Sequence, residues 1–102
     1  MFYINKKGNK VNLTIKRHAI IVFCERFQRL FNKSITGEEA ELYIKHYFRF
    51  THKVNNLNYK EVKRIKRHGP TFYFRDSNFT YGVCDVFVIT VEISRKGFRY
   101  LN

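Results

Sequence analysis

The chain is short of cysteine, acidic side chains and long apolar runs, and each shortage excludes something. Its two cysteines, Cys24 and Cys84, have no close spacing, which argues against a disulfide framework and for a reducing cytosol. The histidines at positions 18, 46, 52 and 68 form no CxxC or HxxxH pattern, so neither a structural metal nor a cofactor is expected. No apolar stretch approaches the ~20 residues that span a bilayer. The opening "MFYINKKGNK" lacks the apolar core of a signal peptide. Repeats, linkers and low-complexity tracts are all missing, and 102 residues make one domain, residues 1–102.

The shortage with the largest consequence is acid: 8 Asp and Glu stand against 20 Lys and Arg, a net charge of +12. Such a balance on a small chain points to a polyanionic partner, nucleic acid first and anionic membrane second. The cations are spread over expected strands and loops rather than one helix face, so no membrane association is expected. What is abundant is aromatic: 11 Phe and 7 Tyr, within an apolar share of 44%, are ample for one core and argue against disorder.

Along the chain, "MFYIN" reads as a short strand, "KKGNK" as a turn, and "VNLTI" as a second strand or the lead-in to a helix. Thr14 is the expected N-cap of a helix running to about Asn32. On a 3.6-residue period Ile15, Ala19, Val22, Phe23, Phe27 and Leu30 share one face, and Arg26 projects between Val22 and Ala19. A charge inside a packing face needs a partner, and Asp76, Asp85 and Glu92 are candidates. A second helix follows Thr36, with Glu39 at capping-box spacing and Ala40, Tyr43, Ile44, Tyr47 and Phe48 as its apolar stripe. "THKVNNLN" has the composition of a loop. Residues 59–68 fit either a short helix ending at Gly69–Pro70 or a basic strand, and the strands that follow favour strand. "TFYFRD", "FTYGV" and "VFVITVEI", with short turns between, predict an antiparallel meander. The expected fold is α+β, two N-terminal helices packed on a twisted antiparallel sheet of 3–5 strands.

Three groups could carry chemistry. Lys60, Lys63, Arg64, Lys66, Arg67 and His68 form a basic run near the aromatics Tyr59, Phe72 and Tyr73, as phosphates and unpaired bases require. The bland alternative is a solvated charged face. His18, Glu25 and Arg29 line one edge of the first helix, with Arg26 just inside. Cleaving RNA without a metal needs groups that exchange protons near neutrality and a cation for the phosphate, which His, Glu and Arg supply. The alternative there is that His18 caps or packs. In the strands, Thr71, Tyr73 and Arg75 point one way and Phe72 and Phe74 the other. Phe87, Ile89, Val91 and Ile93 then share a face opposite Val88, Thr90 and Glu92. Thr90 either bonds a phosphate or fills a β position.

"RHA" with "ER" later in the same helix, the start Ile35-Thr36-Gly37-Glu38-Glu39, and the closing Val88-Ile89-Thr90-Val91 together resemble a family of small domains grouped with the RelE-like and barnase-like toxin folds. The resemblance spans roughly residues 13 to 93. It implies helices on a twisted antiparallel sheet, RNA across the exposed sheet face, and metal-independent cleavage leaving a cyclic phosphate. His18 would be general acid or base, Arg26 and Arg75 phosphate stabilisers, Tyr73 a stacking or proton-shuttling group and Glu25 the reserve base. The basic run, with Thr90, would hold RNA, free or ribosome-bound. The implied regulator is an acidic antitoxin. The family often carries an arginine four residues after the histidine, where this chain has Val22, and "QRLFNK" is additional here. That difference favours a second reading: a phage- or plasmid-encoded regulator that binds nucleic acid or a ribonucleoprotein without cleaving.

Overall fold

A computed structural model describes residues 1–94. The fold is α+β, built from three helices and two sheets. Strands β1 (Phe2–Ile4) and β2 (Lys10–Asn12) form an antiparallel hairpin. Then come β3 (Thr14–Ile15), α1 (Arg17–Phe31) and α2 (Gly37–Tyr47), which runs into a 3-10 turn at Phe48–Phe50. After these follow β4 (His52–Lys53), α3 (Tyr59–His68), β5 (Phe72–Arg75), β6 (Phe79–Cys84) and β7 (Phe87–Ile93). The main sheet has the order β3-β7-β6-β5-β4.

The meander β5–β6–β7 is antiparallel as expected, but the sheet as a whole is mixed, because β3 lies parallel to β7. That pairing also moves the start of α1. Thr14 N–H donates to the carbonyl of Val86 and Lys16 N–H to that of Val88, which holds the chain extended through Lys16. Thr14 is therefore a strand residue, and the N-cap is Lys16, with no side-chain cap. Three strands precede the helices, and α3 is a third helix within the sheet-forming half, so the helices are not simply N-terminal.

Residues 59–68 are helix rather than strand. Asn58 accepts from the Glu61 N–H at 2.9 Å, and Glu61 Oε1 accepts from the Asn58 N–H at 2.9 Å, a complete capping box. The expected box at Thr36 and Glu39 is present with the same reciprocity, at 3.1 Å for both bonds. Gly69, at φ 93°, ends α3 in a conformation that a side chain would strain.

The core lies between the sheet and the layer of α1 and α2. Ala19, Val22 and Phe23 of α1 and Ala40 and Ile44 of α2 are buried. Of these, Ala19, Phe23, Ala40 and Ile44 share one cluster with Phe74, Phe79, Tyr81, Val83, Val88, Val91 and Ile93. Phe23 is wholly buried, its ring 4.8 Å from that of Phe79 and 5.2 Å from that of Tyr43. The hairpin closes one end of this layer through Tyr3, 5.1 Å from Phe74 ring to ring. Strand β7 does not alternate uniformly. Gly82 pairs with Thr90 but Val83 with Val88, so Ile89 is an extra residue, a bulge. The phase flips there, and Val88 rather than Ile89 joins Val91 and Ile93 in the core.

Candidate nucleic-acid interface

The opposite face of the sheet is polar and carries α3. Arg75, Thr80 and Glu92 are cross-strand neighbours on β5, β6 and β7, giving a row of cation, hydroxyl and anion roughly 10 Å across. Helix α3 crosses this row with the complementary charges. Glu61 Oε2 meets Arg75 Nη2 at 2.6 Å, and Arg64 Nη2 meets Glu92 Oε1 at 2.8 Å. Arg75 Nε also donates to Thr80 Oγ1 at 2.8 Å, and Thr80 shares a hydrogen bond with Ser94. The pairs set the direction of the helix, since turning it end for end would set Glu61 against Glu92 and Arg64 against Arg75.

Apolar contact adds little to this attachment. Val62 and Tyr59 are exposed, Ile65 is half-buried, and among the described side chains of α3 the one that is buried is Glu61. Glu61 is also the helix's only acid. The outward surface of α3 consequently shows one sign of charge. Lys60, Lys63, Lys66 and Arg67 are exposed, and at 100° per residue they cover ~120° of the circumference. A shallow cleft runs beside them, lined by Lys60, Lys63, Arg64, Arg67 and Glu92. Burial works to lower the Arg64 pKa, but Glu92 outweighs it, and the guanidinium is held more firmly protonated than usual.

The expected site residues fall into separate places. His18 and Glu25 are exposed on α1. Arg26 does not enter the helix–sheet seam. Its side chain is 38% exposed and pairs with neighbouring Glu25 at 3.2 Å, not with Asp76, Asp85 or Glu92. A long side chain can carry its charge out to water from such a position. Tyr73 and Arg75 belong to the other side of the sheet, beneath α3, so the α1 group and the β5 group are not brought together. Arg75 is committed to Glu61 and Thr80. The Tyr73 hydroxyl is buried without a partner in hydrogen-bonding geometry among the described residues. Burial raises its pKa, against the pull of the nearby Arg64 charge.

Thr90 is buried and fills the space above Gly82, where an added Cβ would stand 2.8 Å from Thr90 Cγ2 and 3.4 Å from the Tyr73 ring. Of the basic run, the helix directs Lys60, Lys63, Lys66 and Arg67 to solvent and Arg64 to the sheet; His68 is its last residue. Glu61 and Glu92 are the residues that sequence reasoning missed as determinants of this surface. The spacing Asn58-x-x-Glu61 was the signal for the first. Both cysteines are free and half-buried. Among the described residues no cluster of His, Cys, Asp or Glu could hold a metal ion, and no helix is long and apolar enough to cross a membrane.

Comparison with protein-family models, with the curated proteins and with the solved structures returned no match for this chain.

Proposed function

We propose that the protein is a cytoplasmic RNA-binding protein whose main phosphate-binding element is the outer surface of α3. One observation carries the reading: the single acid of that helix is buried against Arg75, leaving Lys60, Lys63, Lys66 and Arg67 to face solvent unopposed on it. Four cations on one rigid surface displace counterions from a phosphate chain, which gives affinity with steep salt dependence. The RelE-like grouping is part of the same proposal, supported by the order of the sequence elements and by a helical layer on an antiparallel meander. An acidic antitoxin would compete with RNA for the same cations.

Binding without cleavage is the form that the geometry favours, because the expected acid–base residues on α1 stand apart from Tyr73 and Arg75. Val22, in place of a cation, points the same way. The test is fluorescence anisotropy with a short single-stranded RNA at 50 and 200 mM salt. The four α3 contacts contribute about −2.8 to the log–log slope, or about a 50-fold loss of affinity over that interval. Replacing all four exposed cations by alanine should flatten the slope; a variant that keeps the parent's slope refutes the assignment. The same RNA, end-labelled and incubated in EDTA, reports cleavage. A cut that His18→Ala abolishes would replace the binding reading with the endoribonuclease.

A further inference from the structure

The hairpin side of the molecule carries a second surface of the same chemistry. Two cavities meet there, sharing Tyr3 and Lys53. One lies between the hairpin and the 3-10 turn, with Phe2 and Ile4 on one wall and Phe48 and Arg49 on the other. The second continues past Tyr3 to Phe72, with Lys6 and Lys7 on its rim. Both are on the face of the sheet opposite α3, since the hairpin covers Phe74.

Two features single this groove out. Its aromatic rings are open to solvent: Phe2 is 47% and Phe72 41% exposed, although each sits on a strand. Each also has an ammonium over its ring, Lys10 at 4.4 Å from the Phe2 centroid and Lys53 at 4.3 Å from that of Phe72. Among the described residues no acid lines either cavity. The charged residues lining the two cavities are Lys6, Lys7, Lys45, Arg49 and Lys53, of which Lys45 pairs with Glu41 at 3.0 Å and Arg49 lies over the Phe50 ring. The ammonium covers one face of each ring, and the opposite face together with that cation matches the two halves of an unpaired nucleotide, its base and its phosphate. A duplex keeps its bases stacked inside and offers such a groove only phosphates.

We propose that the groove between the β1–β2 hairpin and the β4–β5 edge binds unpaired nucleotides, with Phe2 and Phe72 as stacking platforms and Lys6, Lys7 and Lys53 as phosphate ligands. It rests on the RNA reading above and makes that reading specific: the protein selects single strands.

The experiment compares a 12-nucleotide unstructured RNA with the same strand annealed to its complement, using the intact chain, Phe2→Ala, Phe72→Ala and the fourfold α3 variant. A 2-aminopurine in the single strand reports stacking. Both rings are exposed, and circular dichroism verifies that each variant keeps the parent's fold. The expected result is a fivefold or greater loss on the single strand per ring removed, little change on the duplex, and less 2-aminopurine quenching. Equal affinity of parent and ring variants for the single strand overturns the groove, as does an equal loss on both forms. If the α3 variant alone weakens binding, the groove falls and the RNA reading stands. If the parent binds neither RNA, both fall.

Discussion

Replacing Glu61 by alanine removes two bonds made by one carboxylate. Oε1 closes the capping box on Asn58, and Oε2 holds Arg75 at 2.6 Å. A lost cap costs about 1 kcal/mol. Breaking a buried ion pair from one side costs about 3–5 kcal/mol, because the other charge is left without its counterion. Here the figure must be reduced: the Arg75 side chain is 28% exposed and keeps Thr80 as a partner. Screening by that exposure brings the pair to about 1–2 kcal/mol, and the substitution to about 2–3 kcal/mol in all. Urea unfolding followed by far-ultraviolet circular dichroism measures it. Glu61→Gln separates the parts, because an amide oxygen can still accept from Asn58 while the charge is gone; about half the loss is expected. A double-mutant cycle with Arg75→Met should then give a coupling of about 1 kcal/mol or more. Additive single effects would mean that the pair does not hold α3 to the sheet, and the account of that helix's orientation would fail with it.

Three further outcomes follow from the packing. Gly82→Ala should destabilise by about 1–3 kcal/mol in the same unfolding assay, since its Cβ would press on Thr90 and Tyr73 between strands that cannot part; a neutral result would mean that the row has slack. Phe23→Ala should cost about 3–5 kcal/mol, the range for a ring with no exposure, and a loss below 1 kcal/mol would place the core elsewhere. Tyr43 is pushed up from 10 to about 12, chiefly by burial, and burial raises Tyr73 and Tyr81 as well. A raised folded-state value favours the protonated phenol, so stability is complete below pH 10 and declines as pH climbs toward 12. Phenolate absorbance should accordingly lag that of the chain in guanidinium, and superimposed titration curves would contradict the burial of these rings.

The parts of the fold that were legible in the sequence are those written in local or strictly periodic terms. The box at Thr36 and Glu39, the face of Ala19, Val22 and Phe23, and the three strands of the meander all belong here. The same capping spacing stands at Asn58 and Glu61, and Tyr59, Val62 and Ile65 fit the helix it starts, but the strands that follow weigh toward strand. That helix turns charge rather than apolar surface toward the sheet. Arg26 shows a different limit: a helical projection places Cβ atoms, whereas a long side chain carries its charge several ångströms away from that point. The phase of β7 required the bulge at Ile89, and the start of α1 required a strand partner far along the chain. Neither is written in the neighbouring residues. For the site, the basic run was visible, but which cations reach solvent depended on Glu61 and Glu92, contributed by two different elements.

The parallel pairing of β3 with β7 also bears on the order in which the protein folds. Thr14 meets Phe87 about 70 residues later in the chain, and α1 packs along that same strand, β7. Strands β5 to β7 are joined by short turns and can pair within microseconds of one another. The N-terminal segment must instead close a loop spanning most of the chain before it gains any contact with β7, an entropic cost incurred ahead of the reward. The meander is therefore the expected nucleus, with α1 and β3 docking last. Until they dock, the aromatic face of the meander lies open, and aggregation of the nascent chain competes with that final step.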